Sequence, residues 1–306
     1  MLHYSVLRKE LIDSLNIKNN GIYVDATVGY AGDAKEILKR IKKGYLFAFD
    51  QDPIAVNYAT KELSGISDNF KIFNVNFQKL KECLTNENVA FVDGIIFDLG
   101  FSSPQIDDSQ RGFSFMNDGI LDMRMSGKGE SAKDVVNNYS LNELTKIFFK
   151  YGEEKQSKII ASKIVTSRKS KEIVTTLELV EVIKSAVGAN YFYKHHPERK
   201  IFQALRIYVN HELDVLEKVL PDAIKMLKKG GRLAVITFHS LEDRIVKNVF
   251  KKYSEEDEIV KGMANIPDKY KPLIKLVNKK PILPSDEELK ENSRSKSAKL
   301  RIVERI

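Results

Sequence analysis

A glycine turn and an aspartate have the spacing expected of a site that holds a nucleoside. The turn 29–33 follows the first apolar run of the chain, and Asp50 follows the second run, twenty-one residues after Gly29. Glycine lets a ligand approach the backbone, and a carboxylate at about this distance accepts the hydroxyls of a ribose. The pair predicts a cofactor that contains adenosine, and it leaves NAD and S-adenosylmethionine open.

A second aspartate, Asp98, closes the apolar run 92–97 and is followed by the loop Ser102-Ser103-Pro104-Gln105. A carboxylate at the carboxyl end of a strand, beside the point where the strand order reverses, faces the ligand crevice of an α/β sheet. Such a loop can hydrogen-bond a planar amine, as in amino-methyltransferases. A plain turn would explain the loop but not the charged residue that ends the strand.

Short apolar runs alternate with helical patterns over the first hundred residues, which is typical of βαβ units around a parallel sheet. The predicted strands of this part are 22–28, 45–49, 70–73 and 92–97. Apolar residues at helical spacing predict a helix over 33–43, and Pro53 opens another helix at a position where its missing N–H costs nothing.

The next buried strand, 232–238, lies about 135 residues beyond Phe97 and follows a helix that we expect to end at Lys228-Lys229-Gly230-Gly231. A parallel crossover needs only about a dozen residues and a helix. The intervening sequence has helical patterns and no convincing strand, at 141–150, 153–168, 175–187 and 200–220. A domain is therefore inserted between the fourth and fifth strands.

We expect residues 1–108 and 211–306 to form one discontinuous α/β domain, and residues 109–210 to form an inserted all-helical domain that recognises the substrate. A helix over 241–253, a capping box at 285–288 and strands at 274–277 and 300–304 complete the first domain. Two closely spaced strands at the end predict an antiparallel pair. That ending is typical of a class I (Rossmann-like) methyltransferase sheet.

The composition limits the class of protein further. Of the 306 residues, 42% are hydrophobic and 30% are charged, as in ordinary globular proteins. Cys83, the single cysteine, cannot form an internal disulfide or a cysteine-rich zinc site. Because no apolar run approaches the ~18 residues that span a bilayer, we expect a cytoplasmic protein that is not embedded in a membrane.

The net charge of +8 is clustered along the chain. Residues 146–172 hold seven Lys, one Arg and three Glu, and residues 292–301 hold four cations and no acid. A third basic stretch, 194–200, contains the adjacent His195 and His196, but no third ligand is spaced nearby, so we expect no metal site. Basic helical faces of this kind suit contacts with nucleic-acid phosphates.

Ordered blocks over essentially the whole chain resemble the bacterial ribosomal RNA small subunit methyltransferase H (MraW) family. The hallmark run extends from Asp98 to Asp107 and continues in Arg111-Gly112-Phe113-Ser114-Phe115 and Leu121-Asp122-Met123-Arg124-Met125. Further agreement is found at His3-x-x-Val6-Leu7 and in the blocks 202–207, 238–244 and 293–301.

The resemblance implies an enzyme that transfers a methyl group from S-adenosyl-L-methionine to the exocyclic N4 of one cytidine in 16S rRNA, at the decoding centre. It implies an rRNA partner within the small ribosomal subunit, and it is compatible with a homodimer. By position, the cofactor-binding residues of the family correspond to Ala31, Gly32, Asp33, Asp50, Phe77, Asp98 and Gln105.

The glycine turn departs from the family pattern. The usual Gly-Arg-Gly-Gly-His-Ser is here Gly29-Tyr30-Ala31-Gly32-Asp33-Ala34. We expect Ala31 to be tolerated if its φ is negative. Asp33 stands where the family has a histidine, so only the backbone cradle is carried over with the resemblance.

A sulfonium is already an activated methyl donor, so no metal is required and the protein mainly aligns the reactants. Cytosine N4 is a poor nucleophile, and an acceptor for its hydrogens would assist the attack. Asp98, the loop 102–105 and His239 are the candidates for this acceptor, and the sequence does not choose between them. Phe113, Phe115 and Tyr30 are candidates to stack on an extruded base, although each also suits the core.

Two other functions fit parts of the sequence. A nicotinamide-dependent oxidoreductase would share the ribose carboxylate, but it predicts G-x-G-x-x-G at the turn and gives no reason for the loop 102–105. A non-catalytic RNA-binding protein on a methyltransferase scaffold is supported only by Asp33. The methyltransferase interpretation accounts for both aspartates, the insertion and the basic clusters together.

Overall fold

The computed structural model describes residues 6–256, 258–260, 262–263, 265, 267 and 270–306. His3 of the N-terminal block therefore lies outside the described residues. The chain divides into two compact units, Met1–Gly100 with Leu213–Ile306, and Phe101–Glu212. These divisions lie eight and two residues from the domain boundaries expected at 108/109 and 210/211. Within the described ranges, no helix has the length and apolar character needed to cross a bilayer.

The first unit contains a seven-stranded sheet whose strand order is β3-β2-β1-β4-β5-β7-β6. The strands are β1 (Ile22–Asp25), β2 (Tyr45–Phe49), β3 (Phe70–Phe73), β4 (Val92–Asp98), β5 (Leu227–Thr237), β6 (Ile274–Leu276) and β7 (Lys299–Arg305). The first five pair in parallel, whereas β7 is antiparallel to both β5 and β6. The predicted α/β class with a class I methyltransferase sheet and a terminal antiparallel pair is confirmed.

The helices are numbered along the chain, and α5 to α11 belong to the second unit. They are α1 (Arg8–Ser14), α2 (Gly32–Arg40), α3 (Pro53–Ser64), α4 (Leu80–Asn86), α5 (Ser103–Asp107), α6 (Ala132–Asn138), α7 (Leu141–Gly152), α8 (Ser157–Ser167), α9 (Thr176–Val187), α10 (Ala189–His195), α11 (Pro197–Asn210), α12 (Glu212–Met226), α13 (Ser240–Ser254) and α14 (Asp286–Glu291).

Both faces of the sheet are covered by apolar layers. Val24 and Phe97 contribute to one layer, and Tyr23 and Ile96 contribute to the other. Because β4 is central and buried on both faces, its residues 94–97 form a continuous apolar run rather than an alternating one. That run is why its carboxyl end, and hence the position of Asp98, was predictable from the sequence.

The second unit is a helical domain with its own core. Phe148 of α7, Ile160 of α8 and Leu205 of α11 are completely buried within it. Several of its helices begin with the reciprocal serine or threonine capping box, as at Ser140 with Glu143 and at Thr175 with Glu178. Between the named helices, pairing in β geometry is limited to an isolated bridge, Ile120 with Thr175.

Several predicted boundaries are wrong. The strand expected at 22–28 ends at Asp25, and the helix expected over 33–43 ends at Arg40. Three other boundaries differ for a tertiary reason. The sequence Lys228-Lys229-Gly230-Gly231 lies in β5 and not at a helix end, because Leu227 already pairs with Val92 of β4. The helical segment 200–220 is two helices, interrupted at His211, whose φ is 52°. The helix expected from residue 153 begins only at Ser157, because Glu153 is the left-handed cap of α7.

Candidate active site

The carboxyl ends of β1, β2 and β4 are joined by hydrogen bonds between their following turns. The Val28 amide donates to the carbonyl oxygen of Phe49 at 2.9 Å. The Asp98 amide donates to the Thr27 hydroxyl oxygen at 2.7 Å. Parallel strands place their carboxyl ends at one edge of a sheet, so the turn after β1 is fixed between Asp50 and Asp98.

The glycine turn and the predicted ribose carboxylate are in direct contact. The Gly29 amide donates to Asp50 Oδ2 at 2.9 Å, and the Asp52 amide donates to Asp50 Oδ1 at the same distance. Gly29 has φ of 46°, and a Cβ built there would come no closer than 3.8 Å to the Thr27 carbonyl oxygen. The turn therefore leaves room for a ligand group against its backbone, as the sequence predicted.

Ala31 adopts the left-handed conformation, with φ of 62°, so the condition on which we expected it to be tolerated, a negative φ, is not met. The conformation is imposed by the turn, since the Ala31 amide donates to the Val28 carbonyl oxygen at 2.7 Å. A left-handed residue with a Cβ costs about 1 kcal/mol. The turn thus retains a glycine-like backbone in spite of the alanine.

The residue that replaces the family histidine, Asp33, is buried in the first turn of α2, next to Gly32. Its Oδ1 lies 3.7 Å from Arg8 Nε at the start of α1. Arg8 is a site residue that the sequence reasoning missed, because a contact between residues this far apart leaves no local signal.

Two carboxyl groups near this turn, those of the buried Asp25 and the half-buried Asp98, have raised pKa values. Burial raises the pKa of Asp98 well above its usual value, and repulsion from Asp33 and Asp25 raises it further. Burial likewise raises the pKa of Asp25, at the end of β1, with Asp33 adding to the shift and a hydrogen bond from the Thr27 amide opposing it. Asp25 was missed, although it closes an apolar strand just as Asp98 does.

One oxygen of Asp98 is left without a partner in the part of the chain that is described. Oδ1 is buried from solvent and accepts no hydrogen bond there. A buried carboxylate oxygen without a donor is costly. A cationic or N–H-bearing ligand at the end of β4 would remove that cost, so this edge of the sheet fits a positively charged cofactor or an amine.

Phe77 lies in the short 3-10 turn Phe77–Lys79 that follows β3, and it is half-buried. Its ring meets the ring of Phe97 on β4 edge-on, with centroids 5.3 Å apart and planes at 89°. The turn begins at Asn76, whose side chain accepts the Gln78 amide. The Phe77 ring is therefore fixed against β4, the strand that ends in Asp98.

Gln105 belongs to the second unit and is described with that unit. It is buried in α5, and its side-chain oxygen accepts the Ser102 amide at 3.0 Å. This bond fixes the loop that the sequence singled out. Of the predicted cofactor residues, the structure thus brings the turn, Asp50, Phe77 and Asp98 to the sheet of the first unit.

His239, a candidate base, caps the first turn of α13 together with Glu242. Glu242 Oε2 accepts the Phe238 amide at 2.8 Å and the His239 amide at 3.2 Å, and Oε1 lies 3.1 Å from His239 Nε2. Glu242 was missed by the sequence reasoning, although a carboxylate three residues after the cap is a recognisable signal. The imidazole Nδ1 accepts the Glu242 amide at 3.4 Å and so caps the helix, whereas its buried Nε2 has no hydrogen-bond partner among the described residues.

The three candidates for base stacking fall into two groups. Phe113 is buried in the core of the second unit, and Phe115 meets Phe202 edge-on at 5.9 Å. Tyr30, in the glycine turn, is half-buried and packs against Tyr58 of α3 at 4.7 Å. The two phenylalanines therefore have core contacts, and Tyr30 is the candidate that lies in the turn.

A comparison with protein families gives one assignment over the whole length. The family model described as the MraW methylase family matches residues 1–306. The match agrees with the strand order and with the resemblance found in the sequence blocks.

Solved structures show distant likeness. An rRNA methylase from Streptococcus thermophilus is 13% identical over 100% of this chain and 99% of that chain, with a TM-score of 0.41. The protein SMU.1697c from Streptococcus mutans, in complex with SAH, is 13% identical over 98% and 95%, with a TM-score of 0.40. A methyltransferase homolog from Pyrococcus horikoshii is 11% identical over 98% and 66%, with a TM-score of 0.45.

Proposed function

Because the chain belongs to the MraW methylase family, we propose that it methylates the exocyclic N4 of a specific cytidine in 16S rRNA, at the decoding centre. It is an S-adenosylmethionine-dependent methyltransferase, and the nicotinamide-dependent alternative is excluded by the family. The observation that carries the finer proposal is the buried, unpartnered Oδ1 of Asp98 at the end of β4. It is an acceptor facing a site where an amine must be held.

The residues of the first unit fit the cofactor. S-adenosylmethionine supplies a methyl group already activated by its sulfonium. We propose that Asp50 accepts its ribose hydroxyls, that the turn 29–33 offers backbone N–H groups, and that Phe77 packs against its adenine. The carboxyl groups of Asp25 and Asp98, whose pKa values are raised by burial and by repulsion from Asp33, gain stabilisation when a cation binds nearby.

Asp98 has the role of proton acceptor in this proposal. When N4 attacks the methyl group, the new N–C bond forms as the donor's S–C bond breaks, and N4 must lose one proton. A carboxylate that accepts a hydrogen bond from the amine orients the nitrogen and can take that proton. His239 is the competing candidate: its Nδ1 accepts the Glu242 amide at 3.4 Å, and its Nε2 lies 3.1 Å from Glu242 Oε1.

We further propose that the helical unit recognises the RNA. Its segment 146–172 exposes Lys155, Lys158 and Lys163. Of its three acids, Glu153 and Glu172 are also exposed, and Glu154 is completely buried. An excess of exposed cations over exposed acids attracts phosphates. The C-terminal basic stretch contributes less than the sequence suggested, because Lys299 and Arg301 both pair with Asp243, at 3.3 and 2.7 Å.

The acceptor is proposed to be the assembling small ribosomal subunit in the cytoplasm. The test is methyl transfer from radiolabelled S-adenosylmethionine to small subunits from a strain that lacks the enzyme. Digestion of the rRNA to nucleosides should place the label in N4-methylcytidine. Label in another nucleoside would contradict the N4 assignment, and no label with intact cofactor binding would favour a non-catalytic RNA-binding protein.

Asp98→Asn tests the role of the carboxylate, and Asp93→Asn, on the same strand, is the matched control. We expect Asp98→Asn to reduce methyl transfer at saturating cofactor at least a hundredfold, and Asp93→Asn to retain it. If transfer by Asp98→Asn matched the wild type, the base would be another residue.

A further inference from the structure

The short helix α10 and the end of α9 form a surface that the proposed reaction does not use. Tyr193 is 62% exposed, and Lys184 Nζ lies 5.6 Å from the centroid of its ring. Lys184 also lies 6.0 Å from the ring of Phe192, which meets Tyr193 edge-on at 5.5 Å. We define the α10 surface as Lys184, Tyr193, Lys194, His195 and Arg199. It presents an exposed aromatic ring with the Lys184 ammonium beside it.

The aromatic residues of α10 are held in place from below. Tyr191 donates its hydroxyl hydrogen to Glu154 Oε1 at 2.6 Å, and its ring lies 4.4 Å from the ring of His195. Lys200 Nζ of α11 reaches the same carboxylate at 3.2 Å. Glu154, just before α8, contacts side chains of both α10 and α11. The exposed ring of Tyr193 therefore stands on a fixed helix, and little conformational entropy is lost when a partner binds.

Around α10, two acidic side chains are buried, whereas the nearby cations Lys194 and Arg199 are exposed. Glu154 and Glu198 are 0% and 5% exposed, and Glu198 is 3.1 Å from His196 Nδ1. Lys194 and Arg199 are exposed, so solvent meets the cations of this region while these acids face inward. Glu181, on α9, is exposed near Lys184 and offsets part of that charge. The balance of the surface is positive.

We propose that the α10 surface binds a single-stranded segment of RNA, with the Tyr193 ring stacked on a base and Lys194 and Arg199 on the flanking phosphates. The unpaired base and the phosphates of such a segment each match one feature of the surface. An aromatic face stacks on any unpaired base, and cations beside it follow the backbone. A duplex would satisfy the cations but would hide its base faces, and an acidic peptide would leave the exposed ring without a partner.

The first test is the affinity for a fluorescein-labelled single-stranded RNA of about 15 nucleotides, by anisotropy. We expect Tyr193→Ala to raise the Kd about tenfold, because stacking on one base is lost. Tyr193→Phe should bind like the wild type, since the ring and not the hydroxyl makes the contact. Phe91→Ala is the matched control, because Phe91 is an exposed aromatic of the other unit, 54% accessible.

The second test is the salt dependence. Lys194→Glu and Arg199→Glu should each reduce the slope of log Kd against log salt by about one, as expected for one phosphate contact. Lys43→Glu, at an exposed lysine of the first unit, should leave the slope unchanged. Equal binding of a labelled polyglutamate peptide and RNA, or a wild-type Kd for Tyr193→Ala, would overturn the proposal.

The inference rests on the proposed function only in taking RNA as the substrate, and the two fail differently. With small ribosomal subunits, Tyr193→Ala should raise KM and leave kcat unchanged. If the wild type forms N4-methylcytidine while Tyr193→Ala has the wild-type Kd and KM, the α10 surface is wrong. If the wild type forms no N4-methylcytidine, yet Tyr193→Ala weakens oligonucleotide binding, the proposed reaction is contradicted and the proposed RNA-binding surface is supported. Melting curves confirm that each variant is folded.

Discussion

The two ends of strand β4 carry the same residue in opposite electrostatic states. Asp93, near the start, accepts hydrogen bonds from Lys228 Nζ at 2.7 Å, Lys18 Nζ at 3.2 Å and the Ile22 amide at 3.0 Å. Asp98, at the end, has a buried oxygen that no described group satisfies. Burial acts to raise both pKa values, but the bonds from Lys228, Ile22 and Lys18 leave that of Asp93 below its usual value. The pKa of Asp98 stays raised.

Asp93 is a carboxylate that stabilises the fold, whereas Asp98 is a carboxylate that can bind a ligand. Asp93 joins β4 to the start of β1 and to Lys228 of β5, so its negative charge is balanced by groups of the protein itself. Asp98 is surrounded by other acids, with Asp33 and Asp25 the nearest contributors to its raised pKa. Buried groups with perturbed pKa values and no internal compensation are characteristic of functional sites. The comparison therefore favours ligand binding at the carboxyl end of β4, where no described group donates a hydrogen bond to the buried oxygen of Asp98.

Among the effects on binding and stability, the largest that we expect is on cofactor binding. Asp98→Asn should raise the Kd for S-adenosylmethionine about thirtyfold, about 2 kcal/mol, because a charge-assisted contact is lost. Titration calorimetry measures this directly. An unchanged Kd together with slow methyl transfer would assign Asp98 to the cytidine amine and not to the cofactor.

The same calorimetry on Asp93→Asn should give the wild-type Kd, and its effect should appear in stability instead. We expect unfolding to be easier by about 1.5 kcal/mol, since two hydrogen bonds from half-exposed lysines are weakened. Asp98→Asn should have the opposite sign and be more stable than the wild type near neutral pH, because a repelled buried charge is removed. Two variants with stability changes of the same sign would contradict the comparison.

The pH dependence of stability should separate the two ends again. A lowered pKa means that Asp93 stabilises the fold above the usual aspartate pKa of 3.8, and this contribution is lost as the pH falls below that value. A raised pKa means that Asp98 penalises the fold when ionised, and the penalty fades as the pH falls through its higher pKa. On acidification, Asp98→Asn should therefore meet the wild-type curve at a higher pH than Asp93→Asn does.

The sequence predicted those parts of the site that local signals mark. Asp50 and Asp98 were found because each follows an apolar run that forms a buried parallel strand, and the glycine turn was found from its place after the first run. Arg8 beside Asp33 was not predictable, since the contact joins α1 to α2 through tertiary packing. The break at His211 was missed because a left-handed histidine carries none of the signal of a glycine.

The smallest predicted effect compares two left-handed glycines, one in each unit. Gly29 in the cofactor turn and Gly127 in the helical unit have φ of 46° and 67°, and an added Cβ would meet little at either position. Gly29→Ala and Gly127→Ala should each cost about 1 kcal/mol of stability from the left-handed backbone alone. Only Gly29→Ala should also weaken cofactor binding, because its amide orients Asp50 and its methyl group would enter the space left for the ligand. Equal cofactor Kd values for the two variants, measured by calorimetry, would show that the turn is an ordinary bend and that binding depends on the carboxylates alone.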